Sequence, residues 1–406
     1  MAIVFLEANN TGTTSDAIRQ AQERGYDTVF VTMQQDFYEG LADNPLELCS
    51  NVITCDTYNV AEILRAVRSV DVEAVISFDD YHLVVAALCA MALGLPHADV
   101  RGLTAARYKD VARERTRELR GGIWSRVIAE DTVDQADLDT FPYPVIAKPV
   151  DESSSVSVRL CHGPADALAV MKDYRAHTVN VRGYRPTRAM LFEEYVEGDE
   201  YSCELFWDGA DGWRVAGVTQ KALGAPPHFV ECGHVFPAPL TAELRTEVER
   251  QALSWVRAVG LRCGAAHVEL RIKEGTAHLI EINPRLPGGH ITQLVQWCTG
   301  IDLVGRYLDF HLGAGTPAPD PAPEFAAACS RFLLPDEVPA SWTSQDLSAV
   351  LERLPSFRRG RVPQFTRASD GHARTNYDRV GYALLAASGP DGITDDLDQL
   401  ARQLRN

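Results

Sequence analysis

His267-Val268-Glu269-Leu270-Arg271-Ile272, then Lys273-Glu274-Gly275-Thr276, then Ala277-His278-Leu279-Ile280-Glu281-Ile282-Asn283 with Pro284-Arg285 behind it, is the stretch on which the fold turns. Two β-patterned runs flank a short turn containing glycine, the signature of a hairpin. Residues two apart on a strand share a face, so His267 lies beside Glu269, and Glu281 beside Asn283. Folding about Glu274-Gly275 sets Glu269 almost opposite Glu281. Directly opposed side chains have Cβ atoms roughly 4.5–5.5 Å apart, and opposed like charges destabilise a sheet. The pair therefore needs a proton or a cation between it. With the Asn283 carbonyl it offers three hard oxygen ligands, a set that suits Mg²⁺ completed by water and phosphate. A solvated hairpin face carrying acids by chance is the competing reading.

Upstream, the chain is β-rich from Pro142. Val145–Val150, Val156–Leu160, Met190–Val196, Tyr201–Trp207 and Trp213–Thr219 read as strands, with helices over Ala165–Arg175 and Leu240–Val259. Lys148 ends a buried-looking strand and is followed by Ser153-Ser154-Ser155. A strand-end lysine can hold phosphate as a point charge, and small hydroxyl residues let backbone N–H groups approach an anion. An ordinary turn is the alternative, and G-x-x-x-x-G-K is absent. Glu193-Glu194-Tyr195-Val196 and Glu200 flank an acidic turn, where strand-end backbone can pair with an adenine edge and an acid can accept from ribose. Gln220–His234 holds Lys221, His228, Glu231 and His234 among prolines and glycines. It reads as one long loop with glycine hinges, a candidate lid. Its histidines are poorly spaced for zinc.

Ahead of this region, Ile3–Leu6, Thr28–Thr32, Val52–Thr54 and Ala74–Phe78 alternate with helices over Thr14–Arg24, Val60–Ser69 and Tyr81–Leu93. That alternation implies a parallel α/β sheet. Its ligands belong beyond the carboxyl ends of strands, at Glu7–Gly12 and Asp79-Asp80. No G-x-G-x-x-G follows the first strand, so a dinucleotide site there is not supported. Leu103–Leu119 reads as one charged connecting helix. Thr316–Pro323, with four prolines in eight residues, is a linker. A mixed α/β segment follows and ends in an amphipathic helix, Ile393–Leu404. The divisions expected are residues 1–105, a substrate domain; 106–315, the catalytic domain; and 324–406, an α+β segment.

Together these segments resemble the ATP-grasp superfamily from about Lys109 to Leu312. The Lys148 strand with its serines is similar to the corresponding loop of D-alanine–D-alanine ligases. Glu281-x-Asn283-Pro284-Arg285 and the Lys221–His234 segment look more like L-amino-acid ligases. The resemblance implies an ATP-grasp fold with an N-terminal parallel α/β, Rossmann-like domain and a C-terminal α+β segment. It implies ATP and two Mg²⁺ ions as cofactors, with Lys109, Lys148, Ser153, Ser154 and Ser155 at the phosphates. Glu193, Glu194, Tyr195 and Val196 would line the adenine pocket and Glu200 hold the ribose. Glu269, Glu281 and Asn283 would bind metal. Arg285, Lys221 and His267 would be the catalytic set, although His267 stands where related ligases often have arginine. Glu7, His228, Glu231, His234, Arg271, Gly288 and Gly289 are substrate candidates. The implied activity is carboxylate–amine ligation through an acyl phosphate, giving ADP and phosphate. Bicarbonate activation and nucleotide binding without turnover are the rivals.

Composition argues against nucleic-acid and membrane partners, and the resemblance implies small-molecule carboxylate and amine substrates. The 406 residues are 46% hydrophobic and 23% charged, and 39 cations face 56 acids for a net charge of −17. Nucleic acid would need clustered cations, and the longest near-apolar run is too short for a membrane span. Nine scattered cysteines, an odd number without C-x-x-C, suggest a reducing, cytoplasmic compartment. The N-terminus reads as a first strand rather than a signal peptide, and the C-terminal segment could cover the site or build a homodimer. Only Lys109, Lys148, Lys172, Lys221 and Lys273 are lysine. In so arginine-rich a chain, a surviving lysine marks either a place where a compact ammonium is needed or chance retention on a solvated face.

Overall fold

Four short apolar runs build the first sheet: β1 (Ala2–Leu6), β2 (Asp27–Thr32), β3 (Asn51–Thr54) and β4 (Val72–Ile76), all parallel, in the order β3-β2-β1-β4. The computed structural model describes residues 1–8, 12–39, 44–129, 135–176, 178–209, 212–224, 229–314, 319–363 and 375–405. Parallel neighbours need crossovers, and helices Thr13–Glu23 and Val60–Ala66 supply two of them. β1 is central and buried along its whole length, as a strand covered on both faces must be.

The connection to the next unit is not the single helix expected over Leu103–Leu119. Val100–Arg107 and Lys109–Thr116 are separate helices, broken at Tyr108 (φ −89°, ψ 108°). The break has identifiable partners. Arg107 donates to the Asp80 carbonyl at 2.8 Å, and the Lys109 N–H donates to the Val150 carbonyl at 2.9 Å. Tertiary bonds thus replace one turn of helix ladder.

The second sheet is antiparallel: β5 (Ser125–Ala129), β6 (Val145–Pro149), β7 (Arg159–Cys161) and β8 (Ala189–Glu194), ordered β5-β8-β6-β7. The strand expected over Val156–Leu160 is mostly a turn. Ser154, Ser155 and Ser157 take φ of 58°, 59° and 57°, a left-handed conformation that no extended strand tolerates.

The third sheet comprises β9 (Glu200–Trp207), β10 (Trp213–Leu223), β11 (Glu231–Phe236), β12 (Ala265–Lys273), β13 (Thr276–Asn283), β14 (Ala327–Leu333), β15 (Phe357–Arg361) and β16 (Gly381–Ala387). Its order is β13-β12-β9-β10-β11-β14-β16-β15. Helix Ala242–Ala258, capped by Thr241, packs Val248, Ala252, Trp255 and Val256 against Cys203, Leu205, Val268 and Leu270. Each such aliphatic or aromatic burial contributes roughly 1.5–3 kcal/mol. This covers one face of β9 and β12, and strand alternation sends Glu200, Ser202, Glu204, His267, Glu269 and Arg271 to the other. Helices Ile291–Thr299 and Leu303–His311 pack Leu294, Val295, Val304 and Leu308 into one core with Ile3, Phe5 and Ile18 of the first sheet.

Two further features emerge from the sheet order. Lys221–His234 is not one loop: Lys221 lies within β10, His234 within β11, and the two are register partners. Nor does the chain after residue 319 stand apart from the catalytic sheet. β14 pairs with β11 and carries β16 and β15 with it, while the terminal amphipathic helix, Pro390–Leu404, seals this extension with Ile393, Leu400 and Leu404.

Candidate active site

One row of register partners crosses five strands: Arg271 on β12, Glu200 on β9, Lys221 on β10, His234 on β11 and Ser330 on β14. Directly opposed side chains share a face, so charge alternates over the first three members of the row. Arg271 Nε is 3.0 Å from Glu200. The Lys221 ammonium, 2% exposed, is 3.3 Å from Glu200, 2.8 Å from Glu231 and 3.1 Å from Glu269. Burial alone would lower its pKa; the carboxylates, Glu231 first, hold it well above the ordinary lysine range. Burial likewise disfavours the charged forms of Glu231 and Glu269, and Lys221 keeps both below the usual carboxylate range.

The hairpin closes with Glu269 opposite Glu281 and His267 opposite Asn283. Ile280 makes this register possible. It is the extra residue between the pairs Glu269–Glu281 and Leu270–Leu279, a bulge of the kind that re-aims groups beside active sites. Its carbonyl accepts from Lys148 Nζ at 3.1 Å and from Arg113 at 3.3 Å. Glu281 has its own lysine, Lys109, at 3.3 Å. His267 is clamped on both sides, Nδ1 2.8 Å from Glu204 and Nε2 3.1 Å from Glu269. Burial would depress its pKa, but Glu204 and then Glu269 together outweigh burial and hold it up at about 9. The imidazolium donates from both nitrogens and so orients Glu269. Among the described residues no group of three or more His, Cys, Asp or Glu side chains forms a self-sufficient metal site. Two carboxylates and the Asn283 amide do fit Mg²⁺, a hard cation that keeps waters and takes phosphate oxygens.

Lys148 is buried against Glu193, which also takes Arg113 at 2.7 Å. Burial lowers the Lys148 pKa and Glu193 offsets part of that; burial would raise Glu193, and Arg113 and Lys148 hold it low. Ser153, Ser154 and Ser155 line the same cleft, with the Ser153 N–H and hydroxyl each 3.2 Å from the Tyr81 hydroxyl. Left-handed φ at two successive serines costs on the order of 1 kcal/mol each, a strain that functional loops tend to hold. Glu194, Tyr195 and Val196 follow along the wall. The Val196 carbonyl accepts from Arg271 at 3.0 Å, and the Arg271 guanidinium lies 5.4 Å from the ring centres of both Tyr195 and Phe229, within cation–π range.

At the far end, Arg285 forks onto Asp80 with two bonds of 2.7 Å, tying the catalytic sheet to the N-terminal one. Gly289 (φ 62°) packs on His234; a Cβ there would stand 2.4 Å from His234 Cε1. His234 Nδ1 is 3.0 Å from the Ser330 hydroxyl and 3.3 Å from the Gly289 carbonyl. Burial brings its pKa down to about 4 against the pull of Glu231. Its Nε2 is buried, 3.8 Å from a Glu231 carboxylate oxygen, and has no hydrogen-bond partner among the described residues.

The cleft, about 480 Å³, gathers every site residue that the sequence singled out except two. His228 lies outside the described residues. Glu7 is buried behind the cleft wall and does not line it. Its carboxylate accepts from Thr32 at 3.0 Å, Met33 N–H at 2.8 Å, Thr57 at 2.9 Å and the Tyr38 hydroxyl, so it braces the first sheet. The structure adds residues the sequence reading passed over. Glu152 accepts from Tyr81 at 2.6 Å, Arg182 lies 3.0 Å from Asp79, and Arg379 lies 2.8 Å from Glu231. No spacing signal marks these arginines in a chain so rich in them.

Comparison with known proteins agrees with this architecture. The ATP-grasp N-terminal domain family matches residues 18–97, and the ATP-grasp domain family matches residues 141–293. Carnosine synthase 1 of Gallus gallus is 30% identical over 283 residues, which are 65% of this chain and 30% of that protein. D-alanine–D-alanine ligase A of Clostridium perfringens is 26% identical over 208 residues, 48% of this chain and 63% of the ligase. The chain thus spans less than a third of the carnosine synthase and under two thirds of the ligase. An L-amino acid ligase from Bacillus licheniformis superposes with a TM-score of 0.76 over 100% of this chain and 96% of its own, at 19% identity. With its N-terminal layer and its nucleotide-grasping sheets each matched separately, over more than half its length in all, the chain belongs to the ATP-grasp family.

Proposed function

We propose that this protein is an ATP-dependent carboxylate–amine ligase joining two amino acids, or an amino acid and a related acid, with release of ADP and phosphate. One observation carries the reading: Glu269 and Glu281 face each other across a bulged hairpin, each held by its own buried lysine. Arriving phosphates give Lys109, Lys148 and Lys221 new anionic partners and free the two carboxylates. Mg²⁺, when bound by Glu269, Glu281 and Asn283, supplies charge that offsets the phosphate oxygens.

The rest is positioning and electrostatics. Glu193 to Val196 receive the adenine and Glu200 the ribose. Lys109, Lys148 and the Ser153–Ser155 turn fix the phosphates. Arg285, kept straight by Asp80, offers its cation where the phosphoryl group meets the substrate carboxylate. A carboxylate oxygen attacks the terminal phosphorus, the bond to the bridging oxygen breaks, and ADP leaves with that electron pair. The amine nitrogen then attacks the acyl carbon, the carbon–oxygen bond to phosphate breaks, and the nitrogen gives up a proton. Phe229, which precedes β11, lies over Arg271 and limits water at the nucleotide end. His267 acts as a positioning residue for Glu269.

Phosphate release measured across a panel of acids and amines tests the reading. Release should need ATP, one acid and one amine together. Release that is equally fast without any amine, or that needs only bicarbonate, would contradict it.

A further inference from the structure

The strands after residue 319 bring to the cleft an arginine that the mechanism above does not use. Arg361 ends β15 and is the register partner of Tyr382 on β16, itself the partner of Phe332 on β14. The three share a face, and all three line the cleft. This wall adjoins the loop that leaves the hairpin. Tyr382 lies against the His290 ring at 4.2 Å, and the Phe332 ring meets His234 edge-on at 5.5 Å. Along the cleft the order is therefore hairpin acids, Arg285, Gly288-Gly289, His290, then Arg361.

Charge separates Arg361 from its neighbours. Each other lysine or arginine lining the cleft is paired with a carboxylate in the contacts already described. Among the described residues Arg361 makes no ion pair and no side-chain hydrogen bond. An unpaired, half-buried guanidinium in an acid-rich cleft is a planar fork suited to a carboxylate. The same cleft holds a buried polar atom without a hydrogen-bond partner among the described residues, His234 Nε2. A molecule that carries a carboxylate and a nitrogen able to hydrogen-bond satisfies both.

Position decides which substrate this is. The carboxylate to be phosphorylated must lie between the hairpin acids and Arg285. Arg361 lines the cleft from β15, the edge strand of the third sheet opposite the hairpin strands β12 and β13. For the rest of the acid substrate the N-terminal half offers the apolar side chains of Phe37 and Pro45, which line the same cleft. We propose that Arg361 receives the carboxylate of the amine substrate, so that the enzyme selects an amino acid or a short peptide as nucleophile and disfavours amines without an acid group. The proposal rests on the ligase reading above and names its second substrate class.

Calorimetry tests it without turnover. The probes are the twenty amino acids, their dipeptides with alanine, and the corresponding amides, titrated into protein saturated with a non-hydrolysable ATP analogue and Mg²⁺. The best amine should bind at least tenfold tighter than its own amide. Arg361→Ala should reduce that ratio to within about twofold, and Arg361→Lys should restore part of it. Arg359→Ala removes the same charge from an exposed position of β15 outside the cleft and should keep the ratio. Discrimination that survives Arg361→Ala, or no preference for carboxylate-bearing amines in the native protein, overturns the proposal. Discrimination lost with Arg361 in a protein that releases no phosphate from any pair would sink the ligase reading and leave the subsite standing. Phosphate release with discrimination indifferent to Arg361 would do the reverse.

Discussion

Replacing Lys221 with methionine keeps the length and burial of the side chain and removes only its charge. The ammonium is 2% exposed and serves Glu200, Glu231 and Glu269 at 3.3, 2.8 and 3.1 Å. Deleting one partner of a buried ion pair costs roughly 3–5 kcal/mol. Here each carboxylate keeps another cation: Arg271 for Glu200, Arg379 for Glu231 and His267 for Glu269. The lower end, about 3 kcal/mol, is therefore expected. At about 2 °C per kcal/mol, suited to a large chain, the melting temperature should fall by roughly 6 °C at pH 8. The pH dependence has a definite sign. In the native protein Glu231 and Glu269 have depressed pKa values. They stabilise above the unfolded carboxylate pKa, and that contribution is lost as pH falls through the folded values. Without the ammonium, burial raises these pKa values instead, and the folded variant takes up protons that the unfolded chain does not hold. The variant should then gain stability from pH 8 toward pH 5, and the gap to native protein should narrow. Melting curves at both pH values decide this. A loss under 1 °C, or a gap that widens on acidification, would refute the reasoning.

Three further outcomes follow from the same geometry. Glu281→Gln or Glu269→Gln should abolish phosphate release while far-ultraviolet circular dichroism keeps the native signature; full activity in both at saturating Mg²⁺ would remove the metal assignment. Lys148→Ala should raise the KM for ATP, and Lys148→Arg should not fully restore it, because a forked guanidinium does not fit the space between Glu193 and the Ile280 carbonyl; an unchanged KM in the alanine variant would reduce the serine turn to a structural element. Gly289→Ala should cost roughly 1–3 kcal/mol by overpacking against His234, read as a lower melting temperature together with a lower kcat/KM; native values of both would show that the His234 wall yields.

Much of this site was legible because strand periodicity carries it. The spacing from Glu269 to Glu281 pointed to an opposed pair, and one bulged residue, Ile280, completed the register. Lysine scarcity was informative too. Lys109, Lys148 and Lys221 are buried, whereas Lys172 is exposed and Lys273 partly so. What stayed hidden depends on tertiary partners. Tyr108 breaks a helix because Arg107 and Lys109 bond to distant carbonyls. The Ser153–Ser157 turn adopts glycine-like angles without glycine. Lys221 and His234 looked like the two ends of a loop because turn-forming residues dominate that segment, yet both are in strands. Arg182, Arg361 and Arg379 face the cleft from segments with no periodic pattern, and only the sheet order brings the last two there.

Oxygen transfer tests the central claim most directly. With the acid substrate labelled with ¹⁸O in its carboxylate, a single turnover that proceeds through an acyl phosphate moves one labelled oxygen into the released phosphate. The proposed ligation predicts labelled phosphate in amounts equal to the amide formed, with ADP as the nucleotide product, because it sets the terminal phosphates of ATP among Lys148, Arg285 and the Glu269–Glu281 hairpin. Unlabelled phosphate, or AMP with pyrophosphate, would contradict it.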